Sequence, residues 1–258
     1  MKATLEINRS HLRNLLRSIN KINSVPDKDI HADLHLKADD GLIQLYSHVQ
    51  PAYVTHHIED GSDMSVDIET PGELSFNIET LTEIVQKAED GLFEIEFNSD
   101  EYHIVTPSGD SLSAVEFDLP RHSDSVFEDP LDVGELYKID TVSRTELRSG
   151  LGTMGVIGEF ANISVDEEGT LAISIQNMVN GDASVEKSNC GADISSMSQF
   201  YLMRPMREFA STLVDADEIS ILVSDRRNLC LQTTIDSWVA EVHLAQKEST
   251  QDETYLKI

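Results

Sequence analysis

Lys2-Ala3-Thr4-Leu5-Glu6-Ile7-Asn8-Arg9-Ser10-His11-Leu12-Arg13-Asn14-Leu15-Leu16-Arg17-Ser18-Ile19-Asn20-Lys21-Ile22 changes its period in the middle. Up to Ile7, apolar and polar residues alternate, as in a strand with one buried face. Beyond Asn8 the apolar residues fall at Leu12, Leu15, Leu16, Ile19 and Ile22, one stripe of a helix. Asn8 stands at the change, where an N-cap belongs. Arg9, Arg13, Arg17 and Lys21 recur every fourth residue, so their side chains stack along the face opposite the stripe. No acid lies between Asn8 and Ile22.

Outward from this stretch, a strand, a short helix and about three strands recur at intervals of roughly 60 to 70 residues. The first copy continues with strands near 30–36, 42–46 and 52–58, and Asp39-Asp40-Gly41 is its hairpin turn. The second has a strand over 73–77, a helix over 79–89 and strands over 92–97, 102–105 and 112–117. The third has a strand over 136–141, a helix from Arg144 and strands over 162–165, 171–175 and 183–186. The fourth has a strand over 199–203, a helix over 205–213 and strands over 218–223, 229–233 and 238–244. Ser143-Arg144-Thr145-Glu146 reads as a capping box and Asn77 as an N-cap, and Pro205 fits the first helical position. Residues 118–134 hold two prolines and four aspartates without a period, which marks a connector. The expected plan is a domain over 1–117, a connector over 118–134, a second domain over 135–247 and a loose tail over 248–258.

Charge decides what such a chain can meet. Nineteen basic residues face 47 acidic ones, a net charge of −28, which suits an exterior adapted to high salt and argues against a nucleic-acid partner. The few basic residues are not scattered, however. Arg9, Arg13, Arg17, Lys21, Arg144, Arg148, Arg204 and Arg207 fall in three of the four helices, with only Glu146 and Glu208 as acids beside them. The second helix is the exception, setting Glu79, Glu83 and Glu89 against Lys87. If all four helices lie on one side of the sheets, that side is positive and suits a phosphate backbone contacted without reading its sequence.

Other classes find little support. No stretch approaches the roughly 18 apolar residues of a membrane span, and the alternating N-terminus has no signal-peptide core. Cys190 and Cys230 lack metal-ligand spacing and read as free thiols of a reducing compartment. His31 with His35, or His56 with His57, are the histidine pairs that acids might join at a metal, and none is expected to hold one. No hydrolase, zincin, dinucleotide or phosphate-loop motif occurs, so neither an enzyme nor a cofactor is expected.

Taken together, the fourfold unit, the connector and three local stretches resemble the DNA sliding clamps of the proliferating-cell nuclear antigen type. The stretches are Phe76-Asn77-Ile78-Glu79-Thr80-Leu81-Thr82-Glu83-Ile84-Val85, Phe200-Tyr201-Leu202-Met203 onward to Leu213, and Val242-His243-Leu244-Ala245-Gln246-Lys247. The resemblance covers about residues 1 to 247 and implies an α+β clamp fold, with antiparallel sheets outside and four helices lining an inner surface. It implies a homotrimeric ring around double-stranded DNA, loaded by a clamp loader and holding DNA polymerase and other proteins that carry clamp-binding peptides. The DNA-facing residues would be the eight basic residues above with Lys87. A peptide pocket would involve Tyr46, Gln50, Tyr53, Val126, Phe127, Leu131, Leu244, Ala245 and Gln246. Tyr46-Ser47-His48-Val49 and Gln246 depart from the family pattern, so a divergent peptide is expected. Ring closure would pair edges near 111–117 and 171–176. The expected location is the cytoplasm of an archaeal or virus-infected cell, or a eukaryotic nucleus. Two alternatives remain open: a clamp-like factor that does not trimerise, separable by mass, and an acidic DNA mimic, which leaves the acid-poor helices unexplained.

Overall fold

The computed structural model describes residues 1–23, 33–49, 52–99, 101–107, 114–120, 132–168, 170–177, 181–187 and 197–246. The first repeat comprises β1 (Lys2–Asn8), α1 (Arg9–Asn23), β2 (Asp33–Asp39), β3 (Leu42–Val49), β4 (Ala52–Ile58) and β5 (Met64–Thr70). The second comprises β6 (Gly72–Asn77), α2 (Ile78–Lys87), β7 (Leu92–Asn98), β8 (Glu101–Val105) and β9 (Glu116–Pro120). The third comprises β10 (Leu136–Ser143), α3 (Arg144–Met154), β11 (Phe160–Val165), β12 (Leu171–Asn177) and β13 (Gly181–Lys187). The fourth comprises β14 (Met197–Leu202), α4 (Met203–Thr212), β15 (Glu218–Ser224), β16 (Leu229–Ile235) and β17 (Trp238–Leu244). Asp40 and Gly41, at φ 47 and 80, turn β2 into β3 at the expected hairpin.

The repeats interlock through their first strands. β1 pairs with β7, β6 with β2, β10 with β15 and β14 with β11, all antiparallel. No unit can therefore complete its sheet alone. Three sheets result, in the orders β5-β1-β7-β8-β9, β10-β15-β16-β17-β4-β3-β2-β6 and β13-β12-β11-β14. The eight-stranded sheet crosses from one half of the chain to the other at β4 and β17, which pair over seven residues from Trp238↔Ile58 to Leu244↔Ala52. Its helix-side face is apolar: Val54, Trp238, Ala240, Val242 and Leu244 are buried against the helices. Leu12, Leu15, Leu16 and Ile19 of α1 are buried too, and each such side chain contributes roughly 1.5–3 kcal/mol.

Several local expectations change. Met64, Val66 and Ile68 alternate like any half-buried strand, yet β5 was not among the expected elements. β9 runs Glu116–Pro120 instead of 112–117, so Asp118, Leu119 and Pro120 belong to a strand and not to the start of the connector. Phe117 and Leu119 pack on the core from it, and Pro120 is tolerated at the end of an edge strand. Pro205 is the third residue of α4, still within the first turn, where no intrahelical acceptor awaits its N–H. Ser143 makes no side-chain cap bond. The Asn8 amide lies 3.5 Å from Asp63 Oδ1.

The helices instead start on one another's loops. Arg9 N–H donates to Gly91 O after α2, Arg144 N–H to Asp217 O after α4, and Met203 N–H to Glu159 O after α3, at 2.9, 2.9 and 2.8 Å. The loops after α2, α3 and α4 thus supply acceptors for the orphan donors of neighbouring helices. The expected cap at Asn77 is present, its Oδ1 accepting from the Glu79 and Thr80 amides at 2.8 and 3.3 Å. Asn77→Ala is expected to destabilise the chain by about 1 kcal/mol, measured as a lower urea midpoint with unchanged slope.

Candidate nucleic-acid interface

The four helices form one row in the order α3, α4, α1, α2, each packed on the next. α1 lies on β3 and β4 and α4 on β17, so the middle pair shares one face of the continuous sheet. The outer side of this row is where the basic residues stand, and the structure sorts them into two kinds.

Arg9 and Arg144, the first residues of α1 and α3, are structural. The Arg9 guanidinium donates to Val85 O and Gln86 O at 2.8 and 2.9 Å and reaches Asp90 at 2.5 Å. Arg144 donates to Ala216 O and Ala210 O at 2.7 and 3.1 Å. Each closes the carbonyl-rich C-terminal end of a neighbouring helix, where a cation is favoured. Both were expected among the DNA-facing residues; their guanidinium groups are committed to the protein itself. Lys87 pairs with Glu83 one turn back at 3.1 Å, and Arg207 with Glu208 at 3.0 Å.

Arg13, Arg17 and Arg148 are exposed and make no hydrogen bond or ion pair among the described residues. Arg13 and Arg17, with exposed Lys21, line a groove of about 220 Å³ between α1 and α2. Arg204 and Arg207 line an equivalent groove of about 290 Å³ between α3 and α4. Two matching grooves, each between the helices of one half and each edged by cations, therefore face outward from the row. Among the described residues no acid lines the first, and Glu159 is the one acid lining the second.

The face of the sheet turned away from the helices carries the expected peptide-pocket residues in part. Tyr46 and Tyr53 are buried there, their ring centroids 6.0 Å apart. Leu244 pairs with Ala52 and is buried in the helix-side core, so a period of two sends it to the face opposite Tyr53. Ala245 is exposed and Gln246 half-buried. Gln50, Val126, Phe127 and Leu131 lie outside the described residues, as do Cys190, His31 and the expected tail. His35 is buried 2.7 Å from Ser75 Oγ, and Cys230 is a buried free thiol. Leu171–Asn177, expected at an edge, is internal to its sheet; β13 is the terminal strand.

Sequence reasoning named His56 only beside His57, as a pair not expected to hold a metal, and missed its place in the core. It is fully buried on the helix side, its Nδ1 accepting from Trp238 Nε1–H at 2.9 Å and its Nε2 lying 2.8 Å from Ser18 Oγ. With Nδ1 an acceptor, Nε2 carries the proton and donates to Ser18, whose hydroxyl donates to Leu15 O at 2.8 Å. The chain of bonds joins α1, β4 and β17 across the seam. His57, one residue on, points to the opposite face, so these two histidines cannot share a ligand.

Antiparallel sheets in two interlocked halves, backed by one row of four helices, define the α+β DNA-clamp fold. The crystal structure of proliferating cellular nuclear antigen from Entamoeba histolytica superposes with a TM-score of 0.71, over 95% of this chain and 98% of that one, at 14% identity. At that identity the likeness is one of fold. No protein-family model and no curated protein sequence matches the chain. No described helix is long and apolar enough to cross a membrane.

Proposed function

We propose that the chain is the subunit of a sliding clamp, a non-enzymatic ring that encircles double-stranded DNA and tethers replication proteins to it. One observation carries the reading: in a chain of net charge −28, unpaired cations gather on the outer side of a single helix row. α1, at 15 residues, is roughly 20 Å long, a length of duplex bearing about 12 phosphates. Contacts of that kind position without specifying, which permits sliding.

Closure is supported by the logic of the seam. β4 of repeat one and β17 at the end of repeat four pair within the chain, whereas repeats two and three end in β9 and β13, each terminal in its sheet. Joining β9 of one copy to β13 of the next repeats the internal joint between copies, a head-to-tail contact that can close a ring. Three copies would give six similar domains. In molar salt, charges are screened beyond about 3 Å, so attraction alone does not retain the protein and topology must. A clamp loader, DNA polymerase and other bearers of docking peptides are the corresponding partners, the peptides seated near Tyr46 and Tyr53.

The test is retention. Protein loaded on nicked circular DNA is expected to remain through a high-salt wash and to leave within minutes once the circle is cut. Equal loss from circle and linear DNA would overturn the reading.

A further inference from the structure

At the seam, β16 and β17 bring three metal-ligating side chains together on the sheet face turned away from the helices, and β4 sets a histidine beside them. Cys230 on β16 stands opposite His243 on β17, and Glu241 lies two residues before His243 on the same face. His57 reaches in from β4, across the joint between the halves. His243 Nε2 is 2.9 Å from Glu241 Oε2, Cys230 Sγ is 3.9 Å from His243 Nε2, and His57 Nε2 is 3.7 Å from Glu241 Oε2. The ligand atoms of Cys230, Glu241 and His243 all lie within 4.8 Å of one another. In a tetrahedral zinc site, bonds of about 2.0–2.3 Å place neighbouring ligand atoms roughly 3.3–3.8 Å apart. The Cys230–His243 separation of 3.9 Å is close to that spacing, and the hydrogen-bonded His243–Glu241 pair at 2.9 Å must open to meet it.

Its surroundings point the same way. Cys230 and His243 are 0% and 3% exposed. An ionised carboxylate and a thiol are costly to enclose together unless something neutralises them. A divalent cation with one carboxylate and one thiolate sums to zero. Gln232 Nε2–H already holds Glu241 Oε1 at 2.7 Å, which fixes the carboxylate and leaves Oε2 for the centre of the cluster.

We propose that Cys230, Glu241 and His243 form a site for a zinc-like divalent transition ion that staples β16 to β17, with His57 positioning the Glu241 carboxylate from β4 across the seam. Binding displaces the Cys230 thiol proton to solvent, moves the His243 proton from Nε2 to Nδ1, which has no hydrogen-bond partner among the described residues, and replaces the hydrogen bond between His243 and Glu241 by two metal bonds. Soft sulfur and imidazole ligands select such an ion over magnesium or calcium. The site does not depend on the clamp reading, and its test does not involve DNA.

Full-length protein, stripped with a chelator, is titrated with Co2+ and followed by absorption. The expected result is one equivalent of tightly bound Co2+ with a thiolate-to-cobalt charge-transfer band and intense tetrahedral d–d bands, both removed by Zn2+. Cys230→Ser is expected to abolish the charge-transfer band. His57→Gln, at a partly exposed position that leaves folding intact, is expected to weaken Co2+ binding by about tenfold or more. Zn2+ should raise the melting temperature of the native protein and not that of Cys230→Ser. Pale octahedral Co2+ without a thiolate band marks binding by surface carboxylates and overturns the proposal. Unchanged affinity in His57→Gln overturns the part assigned to the seam.

Discussion

A protein carrying Val115→Glu and Ile84→Glu is expected to show one third of the native assembled mass in light scattering, with an unchanged circular dichroism spectrum. The two residues line a mainly apolar recess of about 290 Å³ beside β9, shared with Ala88 and Phe117 and bordered by Glu83 and Lys87, which pair with each other. Val115 is 52% exposed in the single chain, so glutamate there costs the isolated fold little. In the proposed ring the same recess is the counterpart of the internal joint, where α1 packs on α4 beside β4 and β17. Enclosing two unpaired carboxylates in such a joint costs several kcal/mol each. At about 1.4 kcal/mol per tenfold, that weakens association by roughly a thousandfold or more. Desolvation is not screened as surface charge is, so the loss should persist across a salt series. An unaltered mass would place the closing contact elsewhere on the molecule.

The second large effect concerns acid. Burial pulls the His56 pKa from 6.5 to about 3, with neighbouring His57 acting in the same direction and Glu241 against it. Geometry agrees, because a proton on Nδ1 would face the Trp238 N–H that this atom accepts. Between those two values the unfolded chain binds a proton that the folded chain refuses. The stability His56 contributes is therefore complete above about pH 6.5 and declines as the pH falls toward 3, by about 1.4 kcal/mol per unit at most. The total across the window is on the order of 4–5 kcal/mol. Urea midpoints of native protein and His56→Gln, compared from pH 7 to pH 4, should converge as the medium becomes acidic. Carboxylates contribute equally to both chains and cancel in the comparison. Parallel curves would remove His56 from the account.

Much of this architecture is legible in the chain before any coordinate is known, for a physical reason. Periods of two and of 3.6 are consequences of local backbone geometry, and burial imprints them on every repeat. The four helices, the hairpin at Asp40 and Gly41 and the Asn77 cap all follow from neighbours in sequence. What escaped depends on neighbours in space. Arg9 sits in the same i, i+4 row as Arg13 and Arg17, and nothing local tells that Val85 and Gln86 will offer it their carbonyls. Ser143 has the residues of a capping box, yet the helix it precedes is met by Asp217 O from another repeat. His56 and His57 look alike as a pair; the pleat sends one to Trp238 and the other toward Glu241. β5 is different, since its alternation of Met64, Val66 and Ile68 was there to be read. Leu244 likewise follows from alternation along β17, which continues inward from Val242.

The continuous sheet across β4 and β17 bears on where such a hoop can be breached. Seven paired residues, the relay from Ser18 through His56 to Trp238 and the packing of α1 on α4 weld the two halves into a single stiff arc. A breach inside that arc would tear all three at once. In the proposed ring, the gap that admits a duplex would therefore arise at a junction between polypeptides, and a machine that prised it apart would need to act only there.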